Sequence, residues 1–159
     1  MKITIICVGK LKEKYWTQAV EEYSKRLGRY CTLQIVELPD EKTPDNASHA
    51  MEEIIKKKEG DRILKALKAD SYKIALAIEG KMLASEELAD KINNLGILGK
   101  SHISFIIGGS LGLSDEVLNK ADFKLSFSKM TFPHQMMRVI LMEQIYRAYR
   151  IIHNEPYHK

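Results

Sequence analysis

Glycines crowd around a serine at Gly108-Gly109-Ser110-Leu111-Gly112, and a polar, aromatic stretch follows at Leu125-Ser-Phe-Ser-Lys-Met-Thr-Phe-Pro-His134. Both could do chemistry. A backbone rich in glycine can approach a ligand closely, and G-x-S-x-G is the pattern of a nucleophile elbow, with Ser110 as the nucleophile. Hydrolysis would also need an acid and then a histidine after the serine. Asp122 precedes the next strand instead of ending one, His134 stands at a helix start, and only 49 residues follow Ser110. Hydrolysis therefore stands as an alternative that the short pattern alone supports.

Other ligand chemistries find less. A dinucleotide fingerprint belongs after the first strand, but Val8-Gly9-Lys10-Leu11-Lys12 offers a lone glycine there. No G-x-x-x-x-G-K-[ST] phosphate loop occurs, and the same missing turn argues against a Rossmann-type methyltransferase. The 5 histidines are scattered without clustered carboxylates or thiols, so no metal site is expected.

Two loops at adjacent strand ends line a crevice only if a sheet presents them together. Strands are expected at Lys2–Val8, Thr32–Leu38, Tyr72–Ile78, Ser104–Ile107 and Phe123–Phe127, from alternating or continuous β-prone residues. Between them, Trp16, Val20, Tyr23 and Leu27 recur at helical spacing before Gly28. Met51 to Leu67 sketch a helix interrupted at Gly60, Ser85 caps another, Ser114 a short one, and a long final helix opens at Pro133. Glu79-Gly80-Lys81 reads as a turn, and Asp40 to Asn46 as a surface loop. Strands alternating with helices predict an α/β fold: one domain over residues 1–159, with a mainly parallel sheet covered on both faces. Such sheets bind ligands at their carboxyl edge.

Composition narrows the class. At 159 residues and 45% hydrophobic, the chain can bury a core, and no apolar run reaches the length of a membrane span. Cys7 and Cys31, both placed in strands, lack metal-ligand spacing and read as reduced thiols of a cytoplasmic protein. The net charge is +4, unevenly placed: residues 74–123 hold 4 Lys+Arg against 7 Asp+Glu, and residues 124–159 hold 6 against 2. A basic tail suits a polyanionic partner. The Lys56-Lys57-Lys58 run reads as a solvated face.

The final helix carries two apolar stripes, Val139, Met142, Tyr146, Tyr149 and Leu141, Ile145, Ala148, Ile152, a face wider than one sheet requires. It suggests a homodimer. Glu143, Arg147, Arg150 and Asn154 share the polar stripe, while Arg138 falls among apolar neighbours and must be paired if buried.

IIGGSLGL followed by LSFSKMTFPHQMMRVILMEQIYRAY resembles the SPOUT class of methyltransferases. The terminal Pro156-Tyr157-His158-Lys159 narrows the likeness to the small bacterial family that methylates N3 of a pseudouridine in 23S rRNA. The resemblance runs from MKITIICVGKLKEKYW through LPDEK and the Lys58–Arg62 KEG-x-R to the tail. It implies S-adenosylmethionine as cofactor, a C-terminal trefoil knot that the general rarity of knots would have excluded, and a homodimer. By position it also implies a cofactor pocket built from Leu76, Gly108, Phe127, Ser128, Lys129, Met130, Thr131 and Phe132.

The partner so implied is 23S rRNA within the ribosome, with neither DNA nor a membrane. His158 is the first candidate for a proton acceptor, because imidazole titrates near neutral pH. Tyr157 would stack on or hydrogen-bond the target base, and Arg147 completes the candidate catalytic set. Arg147, Arg150 and Lys159 would hold phosphates. Without the resemblance, three terminal residues would read as a frayed end, and a non-catalytic RNA-binding module would remain a further alternative.

Overall fold

A computed structural model describes residues 1–159. The strands β1 (Lys2–Val8), β2 (Thr32–Leu38), β3 (Tyr72–Met82), β4 (His102–Ile107) and β5 (Phe123–Ser126) form one sheet in the order β2-β1-β4-β3-β5. Every pairing is parallel, with Lys2 opposite both Thr32 and His102. The α/β expectation holds.

Side chains alternate across the strands, and each face buries a different set of helices. Ile3, Ile5, Cys7, Ile103, Phe105 and Ile107 point to α1 (Lys14–Leu27), α3 (Ser85–Ile97) and α5 (His134–Ile152). Ile6, Val8 and Ile106 point to α2 (His49–Ala66) and α4 (Asp115–Lys120) through Ile63 and Val117. Ile3, Ile5 and Ile6 are fully buried, each worth roughly 1.5–3 kcal/mol, which suits β1 to an inner position in the sheet, between β2 and β4. No helix is long and apolar enough to cross a membrane.

Several boundaries differ from those read in the sequence, for local reasons. Gly60 does not interrupt α2. A Cβ there would lie 2.4 Å from Ser114 Oγ, so the glycine lets α2 approach the start of α4. Gly80 does not end β3, because a Cβ would meet the Lys124 backbone at 2.7 Å. The strand continues past a register shift between Leu76 and Lys81, still paired with β5. Ala84, not Ser85, occupies the N-cap of α3; its N–H donates to Glu87 at 2.6 Å, while Ser85 Oγ donates to Gln144. Pro133 caps α5 from one residue outside it. β4 starts earlier, at His102, which bonds Thr4 at 2.9 Å, β5 stops at Ser126, and Cys31 lies just before β2.

The ends of α5 decide where the functional residues fall. Arg138 is 1% exposed and pairs with Glu37 at the end of β2, which draws the start of α5 to the β1–β2 side of the sheet. The segment from Phe127 to Pro133 must therefore cross the carboxyl edge from β5, at the opposite border. At the other end Asn154 adopts φ 53°, and its N–H and that of Glu155 return to the carbonyls of Ile151 and Arg150. This Schellman turn, with Asn supplying the left-handed residue, reverses the chain onto α5.

Candidate functional site

A cavity of about 790 Å³ opens at the carboxyl ends of β3, β4 and β5, within the size of small-molecule sites. Most of its wall comes from Leu76 to Glu79, Ile107 to Leu113, and Phe127 to Met137 with gaps, and Lys56, Asp115, Leu118 and Leu125 complete it. Of the residues expected to hold a cofactor, Leu76, Gly108, Phe127, Ser128, Met130, Thr131 and Phe132 line it. Lys129 belongs to the same loop but is exposed and does not.

The loops present backbone more than side chain. Between Phe127 and Phe132 no N–H or C=O bonds another backbone group; Met130 N–H donates to Ser128 Oγ at 3.0 Å, and Ser128 C=O accepts from Ser126 Oγ. In the glycine loop, Gly112 N–H returns to Gly109 C=O at 3.0 Å. Gly112 sits at φ +84°, and a Cβ on Gly108 would fall 2.8 Å from the Gly112 carbonyl carbon, so the turn closes only with glycine there. Leu76, Phe127 and Phe132 add apolar walls, and Met130 and Ile78 stand 74% and 49% exposed at the site. Free amide donors and acceptors beside apolar walls suit a flat heteroaromatic ring with a polar edge.

Behind the glycine loop lies a carboxylate that the sequence reading passed over. Glu59 is 4% exposed, and its carboxylate accepts the Glu41 N–H at 2.9 Å. Its oxygen would lie 3.0 Å from a Cβ on Gly109. Burial raises its carboxyl above the ordinary value. Arg62, one turn on, donates to the Pro39 carbonyl and the Glu41 carboxylate. The KEG-x-R segment thus ties the loop after β2 to the loop after β4. Its spacing was visible; its partners lie in loops far away along the chain.

Ser110 is exposed, and neither His134 nor any other imidazole hydrogen-bonds it, although His134 lines the same cavity. No nucleophile–base pair is assembled.

The tail forms a second cluster. Tyr157 donates its hydroxyl to Glu143 at 3.0 Å, and its ring lies under the Arg147 guanidinium at 4.7 Å. Burial and the Glu143 bond push its phenol up to about 12, so it is a hydrogen-bond donor at neutral pH. Arg147 pairs with Glu143 at 2.6 Å and approaches His158 Nδ1 at 3.2 Å. Because guanidinium can only donate, Nδ1 accepts, and Nε2–H is left to donate to Glu86 at 2.9 Å. Arg150 bonds Glu155, Tyr30 and the Pro156 carbonyl.

The structure therefore brings Arg147, Tyr157 and His158 together, but both arginines grip the tail itself. Of the candidate residues here, Arg147, Arg150, Tyr157, His158 and Lys159, only Lys159 is exposed. None of the tail residues lines the cavity. Between the two lies a recess of about 200 Å³ that shares Leu125 and Phe127 with the cavity and reaches Ser85 and Gln144, neighbours of Glu86 and Glu143.

A family model described as "Predicted SPOUT methyltransferase" matches residues 1–158. The chain is 69% identical over its whole length to the ribosomal RNA large subunit methyltransferase H of Clostridium novyi, and 67% to that of Bifidobacterium adolescentis, each covered over 100% of both chains. The same-named protein of Clostridium kluyveri is 63% identical over 100% of both. Among solved structures, a probable methylase family protein from Haemophilus influenzae superposes with a TM-score of 0.53 at 14% identity, over 99% of this chain and 70% of that one. At that identity it speaks for the fold.

Proposed function

Since the chain belongs to the SPOUT methyltransferase family, we propose that it methylates large-subunit ribosomal RNA at N3 of a pseudouridine in the 23S molecule. S-adenosylmethionine is the proposed methyl donor. The observation that carries this reading is the convergence of two backbone-rich loops, Gly108–Leu113 and Phe127–Phe132, on one cavity of sufficient size. Full-length relatives that bear the name of a large-subunit rRNA methyltransferase support the substrate class.

The cavity suits such a cofactor on this chain's own terms. Those amides of residues 127–132 that have no partner would read the adenine edge, Leu76, Phe127 and Phe132 would enclose the ring, and the glycine turn would let the remainder lie against bare backbone. When bound, S-adenosylmethionine supplies an electrophilic methyl on a sulfonium. The chain contributes orientation and exclusion of water, since displacement at a methyl group demands alignment. N3 of the acceptor ring carries a proton, and His158 is proposed to accept it. For that, its Nδ1 must exchange the Arg147 contact for the base. Tyr157, held protonated, donates to or stacks on the ring. Arg147, Arg150 and Lys159 take phosphates by exchanging carboxylate or solvent partners.

A homodimer, the C-terminal trefoil knot, a single domain and a cytoplasmic place of work complete the proposal. The half-buried Val139, Ile140 and Tyr146 on α5 support the dimer, and the crossing of residues 127–133 from β5 towards β1 suits a threaded chain. With the tail outside its own cavity, both protomers are expected to serve one substrate, an assembled ribosome and not a short hairpin. Calorimetry with S-adenosylmethionine and methyl incorporation into ribosomes lacking the modification test the reading together. Absence of both signals would end it.

A further inference from the structure

Two lysines of this chain, Lys56 and Lys57, form ion pairs; among the rest, Lys10, Lys12 and Lys14 stand together at the start of α1. In the Lys56-Lys57-Lys58 run, Lys56 pairs with Glu53 at 2.8 Å and Lys57 with Asp61 and Glu116, so two of its three charges are neutralised within the molecule. Lys10, Lys12 and Lys14 are all exposed, and none forms an ion pair. The placement of Lys14 is electrostatically costly. Lys14 opens α1, whose first turn holds no acidic residue and whose N-cap, Glu13, makes no side-chain capping bond. Cations are unfavourable at the positive end of a helix dipole unless an anion joins them. Glu13 and the nearby Asp40 are the acids facing this segment.

The segment is also held beside the cavity. Gly9 turns out of β1 at φ +93°, and a Cβ there would lie 3.5 Å from Nε2 of His134, a cavity-lining side chain. Lys12 N–H donates to Gln135 Oε1 at 2.9 Å, which fixes the loop to the start of α5. Next to the lysines, Tyr15 is 59% exposed, its ring edge-on to Trp16 at 4.9 Å. Unpaired cations interleaved with an exposed aromatic ring fit a nucleic-acid backbone and an unstacked base.

We propose that the Gly9–Trp16 segment is an RNA-contact surface that leads the substrate to the cavity, with Lys10, Lys12 and Lys14 on phosphates and Tyr15 stacked on a base. The proposal rests on the rRNA reading above and adds a recognition surface distinct from the tail.

The test compares K10Q/K12Q/K14Q with K65Q/K68Q/K100Q, which removes the same charge from exposed positions elsewhere. Binding to ribosomes lacking the modification is followed against salt, alongside calorimetry with S-adenosylmethionine and thermal melting. The first variant should bind roughly tenfold or more weakly, with a slope of log K against log salt shallower by about 2 to 3. Its cofactor binding should stay unchanged and its melting temperature unchanged or higher. Tyr15→Ala should lose roughly tenfold and Tyr15→Phe little. A wild-type slope in K10Q/K12Q/K14Q, or equal losses in both triple variants, overturns the surface. A wild-type protein that binds ribosomes through these lysines but transfers no methyl overturns the enzymatic reading and leaves the surface standing.

Discussion

Arg138, on α5, donates to the Glu37 carboxylate at 2.7 Å and to the Gly9 carbonyl at 3.1 Å while itself only 1% exposed. One buried guanidinium thus clamps the ends of β1 and β2 to the start of the final helix. The cavity loop ends at that helix, so the clamp sets one end of residues 127–132. The other end is set by β5, where Ser126 Oγ donates to the Ser128 carbonyl at 3.1 Å.

Arg138→Ala should lose on the order of 2 to 4 kcal/mol in urea unfolding, below the full cost of a broken buried pair because Glu37 can be hydrated. Arg138→Met, which keeps more of the volume, should lose less. Both should weaken S-adenosylmethionine binding by calorimetry. Wild-type affinity in Arg138→Met would show that the loop does not depend on this anchor.

Gly108→Val should abolish measurable cofactor binding or weaken it at least about tenfold, or 1.4 kcal/mol, because the new Cβ would meet the Gly112 backbone at 2.8 Å. Ser110→Ala should keep both cofactor binding and methyl transfer. Fluorophosphonate labelling of the unmodified chain, lost in Ser110→Ala, would revive the hydrolase alternative.

Stability should fall on mild acidification. Burial, then Lys2, holds the His102 imidazolium below its ordinary pKa, and burial, then Arg138, does the same to His134. The unfolded chain takes up these protons more readily. The stability they contribute is therefore whole above the ordinary histidine pKa of about 6.5 and is lost as pH falls below it. Glu59, raised by burial, acts in the opposite sense at the lower pH where carboxylates titrate. Melting temperature should drop between about pH 7.5 and 5.5, less steeply in His102→Gln. A flat profile would contradict this assignment.

Much of this architecture is legible in the residues. β1 and β2 match their expected bounds residue for residue, because Ile- and Val-rich alternation is a local signal. The two cavity loops are legible from glycines and from a distinctive resemblance. What escapes a reading along the chain is set by partners far away in it. Gly60 and Gly80 read as breaks, but each is a place where a second backbone or side chain comes too close for a Cβ. Glu143 and Arg147 share a helical stripe by spacing alone, yet nothing local reveals that Tyr157 and His158 fold back onto them, or that Glu86 of α3 receives His158. For the same reason the arginines expected on phosphates are found on carboxylates.

In the proposed function, a cofactor cavity and a docked tail divide the work of methyl transfer. The direct test is methyl incorporation from labelled S-adenosylmethionine into ribosomes lacking the modification, with the full chain against one ending at Pro156. The truncated chain should bind S-adenosylmethionine with unchanged affinity by calorimetry and transfer no methyl. Full transfer by the truncated chain would contradict the account.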